Sequence, residues 1–296
     1  MVISKNPSIV SLPQINPGVV TVVEYLIHKF PHVDAQVWQQ RIADGKVHFR
    51  DGTLITVQTP FKPQQQVYYY REVESEPCIP FNEQILYQDQ HLLVAYKPHF
   101  LAVTPGGVFV NECLQNRLRS STGIESLQAL HRLDRVTAGL VMFSLNPETR
   151  HRYHQLFETR QINKTYQAIA SIREDENIVG KQWQVKNRIV RSEPRFRMCV
   201  VDGEANSHSQ IRCIQQTHHR ALFELNPITG KTHQLRVHMQ SLGWPILHDK
   251  YYPQLQPKSE DNFDAPLQLL AKELKFIDPI SQQPRCFRYE NNLALI

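Results

Sequence analysis

The 296-residue chain is poor in cysteine: Cys78, Cys113, Cys199, Cys213 and Cys286 are dispersed, odd in number and without a CxxC pair. That pattern excludes a disulfide framework and a zinc module, and it points to a reducing, cytoplasmic setting. Long apolar runs are also missing. The longest, such as Leu92–Tyr96 and Gly139–Phe143, are strand-sized, far below the ~20 residues that span a bilayer, so no membrane association is expected. The first twenty residues carry one lysine, and Asn, Pro, Ser and Gln interrupt their apolar positions; this is not a signal peptide. Nor is there a large excess of charge of one sign, since 33 Lys and Arg against 28 Asp and Glu leave +5. Such mild basicity suits a polyanion partner without requiring one. With 41% hydrophobic and 21% charged residues, the chain reads as globular, and its length suits about two domains.

The signatures of common cofactor enzymes fail on inspection. Thr229–Gly230–Lys231–Thr232 resembles the end of a phosphate-binding loop, but the first glycine of that loop would fall at Leu225, inside a strand. No nucleotide cofactor is therefore expected. Fourteen histidines are present, yet His151 and His154, and His233 and His238, lack HExxH spacing and a positioned third ligand; no metal is expected. A GxSxG elbow is absent as well.

Periodicity divides the chain in three. Residues 1–18 carry Pro7, Pro13 and Pro17 and read as an extended arm. Residues 19–75 read as a small module. Its first helix starts at Thr21 and stops at Pro31, a second is capped by Asp34 and closed by Gly45, and a hairpin turns at Asp51–Gly52. Residues 76–296 read as a larger domain. Strands are expected around 85–87, 92–96, 165–171, 196–201, 207–214 and 221–225. Helices are expected after Asn146–Pro147 and from Thr229–Gly230 to Gly243. Strands outnumber helices and follow one another, which favours an α+β domain on a mixed, mostly antiparallel sheet over a doubly wound one.

Two segments gather reactive side chains. In His131–Arg132–Leu133–Asp134–Arg135, two arginines and a histidine crowd one aspartate ahead of the apolar run Leu140–Phe143. The arrangement suits a salt-bridged strand lead-in, and equally a carboxylate kept ionised for attack or proton abstraction. In Thr229–His238, helical spacing puts His233, Arg236 and Gln240 on a face away from Leu235, Met239 and Leu242. Arg236 in the first turns of a helix is poorly served by the helix dipole. Spacing leaves open whether a buried carboxylate or solvent satisfies it.

These residues carry a resemblance. HRLDRVTAGL (His131–Leu140) resembles the HRLDRDTSGL motif of the RluA-type pseudouridine synthase family. KTYQAIA (Lys164–Ala170) resembles its KxY motif, and PITGKTHQLRVHMQSLGWPILHDKYY (Pro227–Tyr252) its PxTGRTHQIRVH…GxPIxGDxxY block. LLVAYKPHFLAVTPGG (Leu92–Gly107) resembles the opening LLVVNKPxGLxVHPG. The four motifs fall in order between about residue 85 and about residue 280. The resemblance implies an α+β catalytic domain with an RNA cleft across its sheet. It also implies isomerisation of specific uridines of ribosomal or transfer RNA to pseudouridine, without metal or organic cofactor. By resemblance Asp134 is the catalytic aspartate, Tyr166 packs against the target base, Arg236 pairs with the aspartate and Arg132 helps displace the flipped nucleotide. His131, Arg135, Lys164, Thr232, His233 and Leu235 are then substrate-contacting residues. Departures from the family pattern are Val136, Ala138, Lys231 and the Leu269–Leu270–Ala271 run. The 19–75 module resembles an S4 RNA-binding domain, with Asp34–Ala35 where Ser-Arg is usual. A monomer is the simplest expectation.

Two other readings compete: an RNA-binding protein that keeps the fold with catalysis dispensable, and a glycosidase. The first is opposed by the intact Asp134, Tyr166 and Arg236. The second requires another acidic residue beside Asp134, which the motifs do not offer.

Overall fold

The computed structural model describes residues 1–295. The chain divides into two compact units, one of residues 1–77 with 106–111, the other of 78–105 with 112–296. Among the described residues no helix is long and apolar enough to cross a membrane.

The smaller unit begins with β1 (Val2–Ile3) and β2 (Ser8–Ser11), then α1 (Val22–Lys29), α2 (Ala35–Ala43), β3 (Val47–Phe49), β4 (Gln66–Tyr69) and β5 (Glu72–Val73). Thr21 caps α1 through a reciprocal box with Glu24, and the Asp34 side chain accepts from the Gln36 amide to start α2. Leu26 and Trp38 from the two helices bury against Val47, Val67 and Tyr69 of the sheet β2–β4–β3. One expectation changes here and another is extended. The first eighteen residues are extended but not a free arm, because β1 pairs with β5 and β2 with β4. The hairpin turning at Asp51–Gly52 is present but short, with the bridge His48 to Leu54, the Phe49 amide donating to the Thr53 carbonyl and the Ile55 amide to the Val47 carbonyl; β3 finds its longer partner in β4. The pairings with β4 and β5 join segments tens of residues apart, beyond the reach of local periodicity. Residues 106–111 belong to this unit through Asn111, whose side chain donates to the Ile3 carbonyl and accepts from the Lys5 amide, each at 2.8 Å.

The larger unit runs β6 (Gln84–Gln88), β7 (Leu92–Lys97), α3 (Leu114–Thr122), β8 (Gln128–Ala129), β9 (Ala138–Ser144), α4 (Arg150–Glu158) and β10 (Asn163–Ser171). There follow β11 (Gln182–Arg191), β12 (Met198–Val201), β13 (Ser207–Gln216), β14 (Arg220–Pro227), α5 (Gln234–Ser241), β15 (Leu269–Ile277) and β16 (Pro284–Arg288). Its sheet has the order β12–β11–β13–β14–β10–β15–β9–β7–β6, with β16 added on β15 and β8 on β9. Only the β9–β15 pairing is parallel among those described, so the sheet is mixed and mostly antiparallel. β9 is buried along its whole length and β7 nearly so. That is why both read as continuous apolar runs rather than alternating ones.

Helices α4 and α5 carry the apolar residues that cover the sheet around the site. Tyr153 and Leu156 of α4 pack with Leu92, Leu140 and Leu274. Leu235 and Met239 of α5 pack with Ala168, Phe223 and Leu225. Helix α5 starts at Gln234, five residues later than the Thr229–Gly230 start expected from the sequence. Residues 229–233 form a turn closed by the buried Gln234 side chain, which accepts from Thr229 Oγ1 at 2.6 Å and from the Lys231 amide at 3.0 Å. His233 sits in the left-handed region, φ +53°, just outside the helix.

Candidate active site

A cleft of about 670 Å³ opens over the middle of the sheet, between Leu156 and Phe157 of α4 and Gln234–Arg236 of α5. Its volume is that of a small-molecule or nucleotide pocket. Tyr166 of β10 and Leu269 of β15 lie in its wall. A register shift between Thr165 and Tyr166 marks a bulge in the β10–β15 pairing at this point. Bulges of that kind re-aim a side chain beside a site.

Asp134 lies in the loop that enters β9, and its carbonyl accepts from the Thr137 amide at 3.0 Å. Two neighbouring carbonyls of the same loop are also held. Lys97, fully buried at the end of β7, donates from Nζ to the carbonyls of Pro98, Leu101 and Arg135 at 2.9, 2.7 and 2.9 Å. Burial pushes the Lys97 pKa far down, against the pull of Asp134. His99 Nδ1 donates to the Val136 carbonyl at 2.8 Å. The loop is thus fixed through its backbone, and the unusual side chains Val136 and Ala138 leave those bonds untouched.

Arg236 is the hub. Its Nη1 donates to Asp134 Oδ2 at 3.1 Å. Its Nε and Nη2 donate to the two oxygens of Asp249 at 2.7 Å each. The Asp249 side chain is fully buried and also accepts from the amides of Tyr251 and Tyr252. The alternative left open by the sequence is resolved in favour of a buried carboxylate. Burial opposes the Arg236 charge, but the bonds and charge of Asp249, and then of Asp134, push its pKa up. The rings of Tyr251 and Tyr252 flank the guanidinium, with centroids 4.9 and 5.3 Å away. An arginine fork suits this double grip in a way a lysine would not.

His233 Nε2 stands 3.7 Å from Asp134 Oδ2, and its Nδ1 is 2.9 Å from the Tyr252 hydroxyl. That hydroxyl also accepts from the Met198 amide, so the Nδ1 edge of His233 is tied to Tyr252 while Nε2 faces Asp134. Burial holds the His233 pKa down, Asp134 opposing. Tyr166 has its hydroxyl pushed up by burial and then by the Asp134 charge; it stays protonated. Lys164, two residues before it, is lowered by burial and makes no side-chain bond among the described residues.

The remaining expected residues divide. Arg132 and Thr232 are exposed on the cleft wall, and Leu235 is buried in it. His131 lines the cleft but is committed to the scaffold: Nε2 accepts from the Met142 amide at 3.1 Å and the ring packs 4.7 Å from Phe157. Burial, helped by Lys164, brings its pKa to about 3, and a neutral ring is what that acceptor role demands. Arg135 does not line the cleft. Its guanidinium grips both oxygens of Asp261 at 2.6 and 2.8 Å and the Phe100 carbonyl at 3.2 Å. Sequence reasoning missed Asp249, Tyr251 and Tyr252, although they stand in the quoted HDKYY run. It missed Lys97 in the quoted YKP in the same way. Arg160, also in the wall, was missed entirely; its only signal is an arginine where a helix stops.

Asp134 is the sole carboxylate among the described residues lining the cleft, against Arg132, Arg160, Lys164, Lys231 and Arg236. One acid in a basic, sheet-floored cleft defines a site for a polyanionic substrate rather than a paired-carboxylate glycosidase. The chain belongs to the RNA pseudouridylate synthase family, whose profile matches residues 91–241. Within that family it is similar to RluA-type enzymes and is itself an RNA pseudouridine synthase, an isomerase. It is 31% identical over 214 residues to the dual-specificity RNA pseudouridine synthase RluA of Pasteurella multocida, covering 70% of this chain and 92% of that one. It is 25% identical to the mitochondrial tRNA pseudouridine(32) synthase of Saccharomyces cerevisiae, over 78% of this chain and 50% of that one. Among solved structures, human RNA Pseudouridylate Synthase Domain Containing 4 matches with a TM-score of 0.54 and 27% identity, over 70% of this chain and 88% of that one.

Proposed function

We propose that this enzyme isomerises uridines of ribosomal or transfer RNA to pseudouridine, with Asp134 as the catalytic carboxylate and no cofactor. The observation that carries the reading is the lone cleft carboxylate held by Arg236 at 3.1 Å, with Tyr166 in the same wall. The reaction breaks the bond from N1 to C1′ and forms one from C5 to C1′; C5 gives up a proton and N1 takes one. Atoms and electrons balance, so neither oxidant nor nucleotide is consumed. Arg236 holds the Asp134 carboxylate aimed into the cleft, whether it attacks the sugar or removes a proton from it. Tyr166 offers a ring face to the uracil. Arg132, exposed and without a side-chain bond among the described residues, suits the space that an extruded base vacates. Across residues 1–77 Lys and Arg balance Asp and Glu, so the whole +5 belongs to the remainder of the chain. The S4-like module therefore supplies little of the electrostatic affinity. Deleting it through Arg71 lowers RNA affinity modestly and leaves turnover in place.

The test is tritium release from RNA labelled at C5 of uridine, taken from cells lacking the gene and split into ribosomal and transfer fractions. Wild type releases tritium from at least one fraction, and Asp134→Asn releases none while binding RNA nearly as well. Equal release by the variant would overturn the assignment.

A further inference from the structure

Helix α4 ends in a Schellman motif: the Gln161 amide donates to the Leu156 carbonyl at 2.8 Å and the Arg160 amide to the Phe157 carbonyl at 3.3 Å. The position that must be left-handed in this motif is normally glycine, since a side chain there is strained. Here it is Arg160, at φ +59°. The arginine gains nothing visible from the fold in return. Its side chain is exposed and makes no hydrogen bond or ion pair among the described residues. It does line the cleft. Beyond it, Ile162, Lys164 and Tyr166 line the same cleft at every second residue, as one face of a strand should. Arg160 therefore stands six residues out from Tyr166 on the wall that leads to Asp134.

We infer that Arg160 is a phosphate-binding residue for the RNA strand flanking the target uridine, kept at a glycine position for its charge. This rests on the reading of the cleft as the uridine-isomerising site and adds a contact outside the target nucleotide. A guanidinium held by a rigid helix end presents a fork to a phosphodiester. Such a contact adds affinity without sequence information, and it releases counterions.

The test uses the full chain in four forms: wild type, Arg160→Gly, Arg160→Gln and Arg160→Lys. Binding to unmodified transfer-RNA transcripts is measured across a salt series, with tritium-release kinetics and thermal melting alongside. Loss of one phosphate contact lowers the slope of log K against log salt by about 0.7 to 0.9. The glycine and glutamine variants show that drop and a several-fold higher KM, with kcat at saturating RNA retained; the lysine variant keeps most of the wild-type slope. Arg160→Gly melts no lower than wild type, because glycine suits the left-handed position, so its weaker binding is not a folding defect. Wild-type slopes in the glycine and glutamine variants, or a lower melting point for Arg160→Gly with unchanged binding, would overturn the inference. Absence of tritium release by the wild type itself would instead count against the functional reading.

Discussion

At the scale of single residues, the site depends on which charges are held and which are left free. Arg236 is gripped by Asp249 more closely than by Asp134, 2.7 against 3.1 Å. The fully buried Asp249 thus anchors the arginine, and Asp134, with 29% of its side chain exposed, is the partner that meets the cleft. Replacing Asp249 with Asn keeps the shape but leaves a buried guanidinium short of one anion. Breaking a buried pair in this way costs about 3 kcal/mol. Asp249→Asn is therefore expected to unfold at clearly lower urea and to lose most tritium release, although Asp249 lines no part of the cleft. Unchanged urea midpoint and turnover would show that the amides of Tyr251 and Tyr252, not the charge, are what Asp249 serves.

At the scale of elements, the Asp134 loop is aimed by where β9 begins. Gly139 has φ +123°, and a Cβ added there would stand 2.7 Å from the Ala271 Cα and closer still to its N and O. The close approach belongs to the short parallel contact of β9 with β15, Leu270 with Ala138 and Ala271 with Gly139. On the other side of β15, Ala271 pairs with Tyr166. A glycine is required there because two backbones meet, and the same contact sets the spacing between the aspartate loop and the tyrosine strand. Gly139→Ala has to push β15 away, and overpacking of this kind costs about 3 kcal/mol or more. The expected result is a destabilised protein with turnover lost beyond what the drop in folded fraction explains. Tritium release normalised to the folded fraction by circular dichroism checks it.

At the scale of the whole molecule, burial lowers three histidines most strongly. His131 is lowered to about 3, and His99 and His238 to about 4. His99 and His131 also make ring contacts to main-chain groups, and His238 Nε2 faces Ser207 Oγ and Asn187 Oδ1 at 3.1 and 3.0 Å. The folded pKa of each lies below the unfolded one, so the unfolded chain takes up protons that the folded chain refuses. Their contribution to stability is intact above the ordinary histidine value of 6.5 and is lost as pH falls from there towards 4. Going from about pH 7 to about pH 5.5 is expected to cost about 4 kcal/mol over the three. Urea midpoints at the two pH values read this directly; a flat profile would mean the three rings are already solvated.

The sequence by itself determined the larger unit's class of fold, because its signal is local. Apolar runs at 92–96 and 139–143 announce doubly covered strands, and successive strands without intervening helices announce an antiparallel sheet. It determined the family too, since ordered motifs are read without coordinates. Within the site, the importance of Asp134, Tyr166 and Arg236 was legible because each sits inside such a motif. Only the tertiary structure decided the partners. Arg236 and Asp249 lie thirteen residues apart with a helix end between them, and no period joins them. Arg135 and Asp261 are more distant still, so an arginine that reads as cleft-facing is bound elsewhere. The start of α5 was displaced by a buried glutamine side chain that closes a turn over residues 229–233, and β3 gained β4 as a partner beyond its own hairpin arm. For the two ion pairs and the β3–β4 pairing, contacts between distant segments, formed when water is excluded, decided what the preferences of neighbouring residues left open.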